Sequence, residues 1–428
     1  MEGNLYLKGE IIKGCVGIED GKIKSVKKIL KGDEKLDFGE KLIMPAGIDA
    51  HVHFRDPGDT YKEDFSSGSM SAAFGGISCV LDMPNTKPQV NSVDVFKEKL
   101  GIAKRKSYVD FGLYADGNSN EIENLGKICS CFKIYSYEMD NDTLEKRLSE
   151  IEKTGKIVSI HSEDKKLFRE TKTLGLSDYL HSRPNEAEEK MVQKIVLMDK
   201  KKVHIAHVSA KESVNVLRKL FQKNQRKVFE CRESITFPTI KHVTSEVTLH
   251  HLLLNIDSDL GAKGKVNPPL RTEKDNEMLW DALQNGVIDI VASDHAPHIP
   301  EEKQEFDDAL PGVPGVETTL PIMMYFMKKE KISLNRLVNA VCEKPGELFG
   351  LKKGRIQEGF DADLIAVSLK NEKKISANML HSKCGWTPFE NFHAIFPICT
   401  IIRGEVVVEN NEIMVNPGFG RFVGENYA

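Results

Sequence analysis

The sequence lacks several features that mark other classes of protein. No apolar run among its 428 residues approaches the length of a membrane span, so we predict no membrane segment. Its 60 basic and 64 acidic residues are mixed along the chain and give a net charge of −4, so no basic stripe indicates nucleic acid. The N-terminus has no basic start followed by an apolar core, which argues against a secretory signal and predicts a cytoplasmic protein.

Cysteine pairs are also missing. The eight cysteines are scattered and mostly flanked by apolar residues, which is typical of reduced, buried thiols rather than of a disulfide framework. Cys129 and Cys131 are one residue apart and have no matching pair elsewhere, which argues against a structural zinc site there. The chain length suits one large domain and a smaller one.

The segment PAGIDAHVHFRDPG (45–58) contains the first chemically informative pattern. Its apolar and polar residues alternate, so in an extended strand His51, His53 and Arg55 would line one face. Two imidazoles on one face can chelate a divalent ion such as zinc, and a guanidinium can bind a carboxylate through two parallel hydrogen bonds. His-x-His alone is also compatible with chance on a half-buried strand, so the rest of the chain has to decide.

Four more candidate ligands lie in other short runs rich in Val and Ile. Lys133 lies within one run, and His161, His207 and Asp294 each end another. Each run has the length of a buried strand and is followed by turn-forming residues and a helical pattern. One ligand at the end of each of several strands is how a (β/α)₈ barrel forms its active site. We therefore predict an α/β fold, a TIM-like (β/α)₈ barrel.

The pattern of elements also predicts the domain organisation. Residues 1–44 and 354–428 have short β segments with glycine turns, whereas strand-like and amphipathic helical stretches alternate over 45–353. We expect a discontinuous small β domain, 1–44 and 354–428, with the catalytic barrel, 45–353, inserted in it. Residues 296–319 are rich in proline and glycine and directly follow Asp294, so they form a candidate active-site loop.

An ordered series of motifs runs through the chain: HVHFRDPG (51–58), DMPNT (82–86), FKIY (132–135), IHSED (160–164), AHVSA (206–210), NPPLR (267–271), SDHAPH (293–298), PGVPGVET (311–318), GRIQEGFDADL (354–364) and TIIRGEVV (400–407). In this series the chain resembles the dihydroorotases of the cyclic-amidohydrolase superfamily over essentially its whole length. The resemblance implies a barrel with a binuclear zinc centre and a small flanking β domain. It also implies reversible hydrolysis of the cyclic amide of (S)-dihydroorotate to N-carbamoyl-L-aspartate, the third step of pyrimidine (UMP) synthesis.

The resemblance also implies a ligand set. One zinc would be held by His51, His53 and Asp294, and the other by His161 and His207. Lys133 would bridge them as an N6-carboxylysine formed with CO₂, since a protonated lysine is a poor ligand whereas a carbamate has two oxygens that can each hold one metal. FKIY indicates this lysine type rather than the dihydroorotases that use an aspartate bridge. Taken alone, Lys133 would be interpreted as a snorkelling lysine, and a lone Asp294 could reasonably be a helix N-cap.

The same family pattern assigns catalysis and substrate binding. Asp294 would take a proton during attack and pass it to the leaving amide nitrogen. Arg55, Asn85 and His298 would bind the substrate carboxylate, although Asn85 could also be an ordinary turn residue. Pro311, Gly312 and Asn267 are weaker candidates, and backbone groups around 311–312 could bond the pyrimidine ring. The other histidines are expected to be core or surface residues, and His295 is left out of the ligand set because it points the other way from Asp294.

Two departures from the family pattern concern the seventh strand. Extra chain lies between Val228 and Lys241, and Leu249 stands where the family usually has proline before a His-His pair. Both leave the register of that strand open, and neither involves a candidate ligand.

Two alternative functions remain. An allantoinase or hydantoinase would share the metal site but would not need Arg55 for a ring carboxylate. A non-catalytic assembly partner would typically have lost metal ligands, whereas this chain keeps all six. The substrate is expected to be a small molecule. Association with aspartate transcarbamoylase, a homo-oligomeric state and the identity of the native metal are left open.

Overall fold

The computed structural model describes residues 1–230 and 243–424, and for 224–230 it describes the backbone alone. Two eight-stranded sheets organise this part of the chain. One is parallel and surrounded by helices, and the other is a mixed sheet built from the two ends of the chain. The predicted barrel and the accompanying β sheet are therefore confirmed. The domain boundaries at 44/45 and 353/354 stay a prediction.

The parallel sheet is the barrel. Its strands follow chain order: β5 (Gly47–Val52), β6 (Ile77–Asp82), β7 (Asp110–Asp116), β8 (Cys131–Tyr135), β9 (Val158–His161), β10 (Val203–Ile205), β11 (Val243–Thr248) and β12 (Ile290–Ala292). Their residues are almost all buried, which explains the continuous apolar runs of the sequence. A parallel bridge between Val52 and His295 brings the first strand beside the last.

Helices cover the outside of the barrel and connect its strands: α1 (Phe65–Phe74), α2 (Val93–Lys106), α3 (Ile122–Ile128), α4 (Asn141–Thr154), α5 (Leu176–Ser182), α6 (Asn185–Leu197), α7 (Lys211–Glu230), α8 (Leu249–Leu253), α9 (Glu273–Gln284), α10 (Thr319–Lys328), α11 (Leu334–Val338) and α12 (Lys344–Leu348). In α4, Leu144, Leu148 and Ile151 recur at helical spacing and are buried. Asp140 accepts a hydrogen bond from the Thr143 amide at its start, and Gly155 ends it in the left-handed conformation.

The mixed sheet joins both ends of the chain. Its order is β16 (Glu412–Ile413), β15 (Glu405–Glu409), β14 (His393–Ile402), β13 (Leu364–Lys374), β4 (Asp37–Pro45), β1 (Glu2–Leu7), β2 (Glu10–Glu19) and β3 (Lys22–Lys27). Strand β4 lies in the middle, parallel to β1 and antiparallel to β13, and leads directly into β5. The chain ends therefore form one sheet beside the barrel.

The seventh strand has a definite register. Strand β11 pairs with β10 and β12, and Thr248 caps α8 by accepting a hydrogen bond from the His251 amide. Leu249 is the first residue of α8, a position that proline tolerates because its missing N–H has no helical partner. Most of the extra segment 228–241, together with Cys231 and His242, lies outside the described residues.

Two sequence-based expectations can be checked on the described chain. The seven cysteines it contains are free and buried. None of the described helices has the length and apolar character needed to span a bilayer.

Candidate metal centre and active site

A cavity of about 130 Å³ opens where the barrel strands end. It is lined by all six predicted ligands and by four of the five predicted substrate-binding residues: His51, His53, Lys133, His161, His207, Asp294, Arg55, Asn85, Pro311 and Gly312. The barrel brings these side chains together because parallel strands end at one rim. His298, the fifth, lies behind Arg55.

His51, His53 and Asp294 form a compact group. The Asp294 Oδ1 atom lies 3.3 Å from His51 Nε2 and 3.1 Å from His53 Nε2. The other ring nitrogens have acceptors of their own: His51 Nδ1 is 2.5 Å from Glu246 Oε1, and His53 Nδ1 is 2.7 Å from Asn85 Oδ1. If each Nδ1 carries its proton toward its acceptor, both Nε2 lone pairs face the carboxylate. That arrangement is repulsive unless a cation lies between them, so this group fits a metal ion.

Protonation of these residues suits the same interpretation. Burial lowers the pKa of His53 to about 4, so its imidazole is neutral near pH 7. Burial alone would raise the pKa of Asp294, but the neighbouring His51 and His53 outweigh it and hold that pKa below its ordinary value. Neutral imidazoles and an ionised carboxylate are the forms that bind a divalent cation.

His161, His207 and Lys133 form a second group that lines the same cavity. The rings of His161 and His207 are 4.5 Å apart between centroids. Within the described chain, His207 Nδ1 and the fully buried Lys133 Nζ have no hydrogen-bond partner. Buried polar atoms normally find partners, so these two call for an additional group in the cavity. Burial lowers the pKa of Lys133 to about 8, which increases the fraction of free amine that can react with CO₂.

Three residues of the cavity have strained backbones. Arg55, His207 and Asp294 have φ angles of 61°, 34° and 47°, in the left-handed region that non-glycine residues seldom occupy. Each follows the end of a barrel strand. The turn redirects the chain while its side chain still lines the cavity, and such strain is typical of functional sites.

Comparison with known proteins identifies the family. The model of the amidohydrolase family matches residues 42–407. A protein named dihydroorotase from Methanosarcina acetivorans is 38% identical over 98% of this chain and 93% of its own. Another of that name, from Thermoplasma volcanium, is 38% identical over 99% of this chain and 97% of its own.

The chain belongs to the amidohydrolase family. Among solved structures it is similar to the L-hydantoinase (dihydropyrimidinase) of Arthrobacter aurescens, with a TM-score of 0.89, 29% identity and coverage of 99% and 98% of the two chains. It is also similar to the dihydropyrimidinase of Brevibacillus agri, with a TM-score of 0.85, 26% identity and coverage of 99% and 97%. Membership makes the protein a hydrolase acting on cyclic amides and implies a metal centre, which the donor set described above fits.

Two buried carboxylates that support the histidines of this amidohydrolase were missed by sequence reasoning. Glu246 of β11 contacts His51 Nδ1, lies 3.1 Å from His204 Nε2, and accepts a hydrogen bond from the His207 amide. Glu163 contacts His161 Nε2 at 2.6 Å. A glutamate inside a buried β-branched run needs a polar partner, and that signal was present in VTSEVT (243–248).

Glu163 is itself held by Arg183. The Arg183 guanidinium donates to both carboxylate oxygens, from Nε at 3.2 Å and through a short bond from Nη2. Burial would raise the pKa of Glu163, but Arg183 and His161 hold it well below its ordinary value. The ionised Glu163 engages His161 through Nε2. This leaves Nδ1 for a metal.

The substrate side of the cavity is built around Arg55. Its Nη2 lies 3.2 Å from His298 Nε2, and its Nε donates to the Pro297 carbonyl. Asn85 directs its oxygen to His53, so its amide N–H groups remain for a ligand. Asn267, the weaker candidate, also lines the cavity and accepts a hydrogen bond from the Tyr179 hydroxyl.

The remaining histidines have other surroundings. His204 pairs with Thr244 and Glu246, His251 contacts Thr248, and His181 is exposed. His295 lies 3.2 Å from Glu63 and accepts a hydrogen bond from the Gly315 amide, away from the ligand group. His250 is buried, and its Nε2 has no partner in the described chain.

Proposed function

We propose that this amidohydrolase is a dihydroorotase, which opens and closes the cyclic amide between (S)-dihydroorotate and N-carbamoyl-L-aspartate in pyrimidine synthesis. Relatives of that name at 35–38% identity over nearly the whole chain support it. The observation that carries the proposal is Arg55. Its guanidinium lines the cavity beside the histidine and aspartate group, where it can bind a carboxylate through two parallel hydrogen bonds.

The metal centre would hold two zinc ions. His51, His53 and Asp294 would bind one, and His161 and His207 the other. Lys133, as the product of its amine with CO₂, would give each ion one carbamate oxygen. When bound, the ions would supply Lewis acidity that polarises the scissile carbonyl and lowers the pKa of water.

The side chains have distinct tasks in this reaction. Arg55, with His298 behind it, would hold the substrate carboxylate, and Asn85 would donate an amide N–H to it. Asp294 would accept the proton of the attacking water on a carboxylate oxygen. It would then deliver that proton to the amide nitrogen as the ring C–N bond breaks, and ring closure follows the reverse path.

The alternative is a hydantoinase, the name that several structural neighbours carry. A hydantoin or dihydrouracil ring lacks the carboxylate, which would leave the Arg55 guanidinium without an anionic partner in a buried site. A non-catalytic role is disfavoured because all six candidate ligands line one cavity.

The test is a hydrolysis assay combined with metal analysis. Purified protein should contain about two divalent ions per chain, turn over dihydroorotate in preference to hydantoin and dihydrouracil, and lose activity on chelation. Added zinc should restore it. Full activity in demonstrably metal-free protein would contradict the metal mechanism, and a preference for the uncharged rings would favour the hydantoinase.

A further inference from the structure

Lys303 is a buried lysine in the loop after Asp294. It is 3% exposed, and its three N–H donors all point to carbonyl oxygens: Lys265 at 2.9 Å, Leu310 at 2.9 Å and Gly312 at 3.2 Å. No carboxylate of the described chain pairs with it. Burying a lysine without a counter-ion is costly. The three hydrogen bonds to carbonyl oxygens must therefore offset that cost.

The carbonyls that Lys303 binds flank the cavity wall. Leu310 and Gly312 turn theirs toward Lys303, and Pro311 between them turns its carbonyl to within 3.2 Å of His298 Nε2. Pro311 and Gly312 line the cavity. The alternation resembles an extended strand, in which successive carbonyls point to opposite sides.

Two more backbone hydrogen bonds fix Gly312 and the residue after it. Its amide donates to the Lys265 carbonyl at 3.0 Å, and the Val313 carbonyl next to it accepts from the Ala296 amide at 2.9 Å. Its φ is 145°, and an added Cβ would lie 2.3 Å from the Ala296 oxygen. Position 312 therefore requires glycine, because any side chain there would clash with the Ala296 carbonyl.

Lys265 binds the same loop. Its ammonium donates to the Phe306 and Asp307 carbonyls, both at 2.9 Å, while its own carbonyl accepts from Lys303 and from the Gly312 amide. Two lysine side chains, neither of which lines the cavity, thus hold the backbone of residues 306–312.

We infer that Lys303 is a positioning residue for substrate binding. It holds the Pro311–Gly312 backbone so that this wall, with His298 and Arg55, forms the complement to the substrate ring and its carboxylate. This inference rests on the proposed function. Lys303 lines no part of the catalytic cavity and contacts none of the six candidate ligands. Its loss should therefore weaken binding and leave the chemical step largely intact.

The experiment compares Lys303→Met with Lys303→Arg, which keeps the positive charge, and with Lys263→Met as the matched control. Lys263 is an exposed lysine two residues before Lys265. Lys303→Met should raise KM for dihydroorotate at least about tenfold and change kcat less than about threefold, with two metals still bound. Lys303→Arg should lie between Lys303→Met and wild type, and Lys263→Met should match wild type.

Hydrogen exchange separates this inference from the proposed function. The Gly312 amide should exchange faster in Lys303→Met than in wild type and Lys263→Met, whatever the substrate is. Wild type inactive on dihydroorotate would overturn the proposed function. If the wild type is active, an unchanged KM in folded, metal-loaded Lys303→Met would overturn the role of Lys303 alone. A parallel loss of metal and kcat in that variant would overturn it as well. If Lys303→Met does not fold, a wild-type KM in Lys303→Arg and Lys303→Gln overturns it.

Discussion

At the scale of single residues, proton placement decides what the candidate ligands can do. His51 and His53 each direct Nδ1 to an acceptor and Nε2 to Asp294. Because burial lowers the pKa of His53 and His161 to about 4, neither needs to lose a proton near pH 7 before it binds a metal. These protonation forms suit the binding of a cation, and in the proposed function Arg55 would supply a separate positive group for the substrate carboxylate.

Arg55 gives the first prediction. Arg55→Met should leave both metals bound but lower kcat/KM for dihydroorotate by about 100-fold or more, since a charge-assisted bidentate contact is worth roughly 3 kcal/mol. Arg55→Lys should also fail substantially, because an ammonium cannot reproduce the planar fork. The measurement is kcat/KM for dihydroorotate and for dihydrouracil with each protein.

Dihydrouracil serves as the internal control for Arg55. It lacks the carboxylate, so it should be a poor substrate whose turnover the substitution affects far less. Equal losses on both rings would mean that Arg55 supports the fold or the metal site, and the hydantoinase alternative would gain ground.

Lys133 gives the second prediction. Lys133→Ala should lose metal and activity, because the carbamate that would hold both ions can no longer form. Short carboxylic acids added to the variant should partly restore both. Mass spectrometry is unsuited to so labile a carbamate, so the direct check is a metal-loaded crystal structure. An unmodified, well-ordered Lys133 there would contradict the bridge.

At the scale of elements, β11 connects residues of both candidate ligand groups. Its Glu246 side chain contacts His51 of β5 and His204 of β10, and it accepts from the His207 amide. Burial would raise the pKa of Glu246, but His51 and His204 hold it well below its ordinary value. One ionised carboxylate thus connects strands β5, β10 and β11 near the candidate ligands.

Glu246→Gln tests that role. The substitution keeps the volume but removes the charge and one acceptor oxygen, so metal affinity should fall by about 10- to 100-fold with the fold retained. Metal competition with a chelator gives the affinity, and circular dichroism checks the fold. Glu277→Gln, an exposed glutamate of α9, is the matched control. Wild-type affinity in Glu246→Gln would show that the carboxylate is not needed to hold the histidines.

At the scale of the whole molecule, a buried ionic cluster joins the barrel to the mixed sheet. Lys353 Nζ lies 2.6 Å from Asp110 of β7 and 2.8 and 2.7 Å from Asp361 and Asp363, just before β13. Arg403, between β14 and β15, also pairs with Asp110. These aspartates could in principle hold a metal, but the Lys353 ammonium already lies among them. The cluster therefore attaches the sheet to the barrel.

Lys353→Met should destabilise the protein. It leaves buried carboxylates short of a cation, and breaking such a pair typically costs about 3–5 kcal/mol. The measurement is the free energy of unfolding in urea, with the exposed neighbour Lys352→Met as control. Lys22 of β3 also pairs with Asp361, at 2.5 Å. A loss no greater than that of Lys352→Met would show that Arg403 and Lys22 suffice for these aspartates, and Lys353 would then not be needed to attach the sheet.

The sequence by itself determined the barrel and the six residues gathered at its rim. Strand runs and their terminal residues are local patterns, and the parallel arrangement brings any such ends to one rim. Only the tertiary structure decided that Glu246 supports His51, 195 residues away, and that His298 lies behind Arg55, 243 residues away. Burial indicates that Glu246 and Lys303 need polar partners. Which partners they find depends on contacts between segments that are distant in the sequence, and local patterns do not encode such contacts.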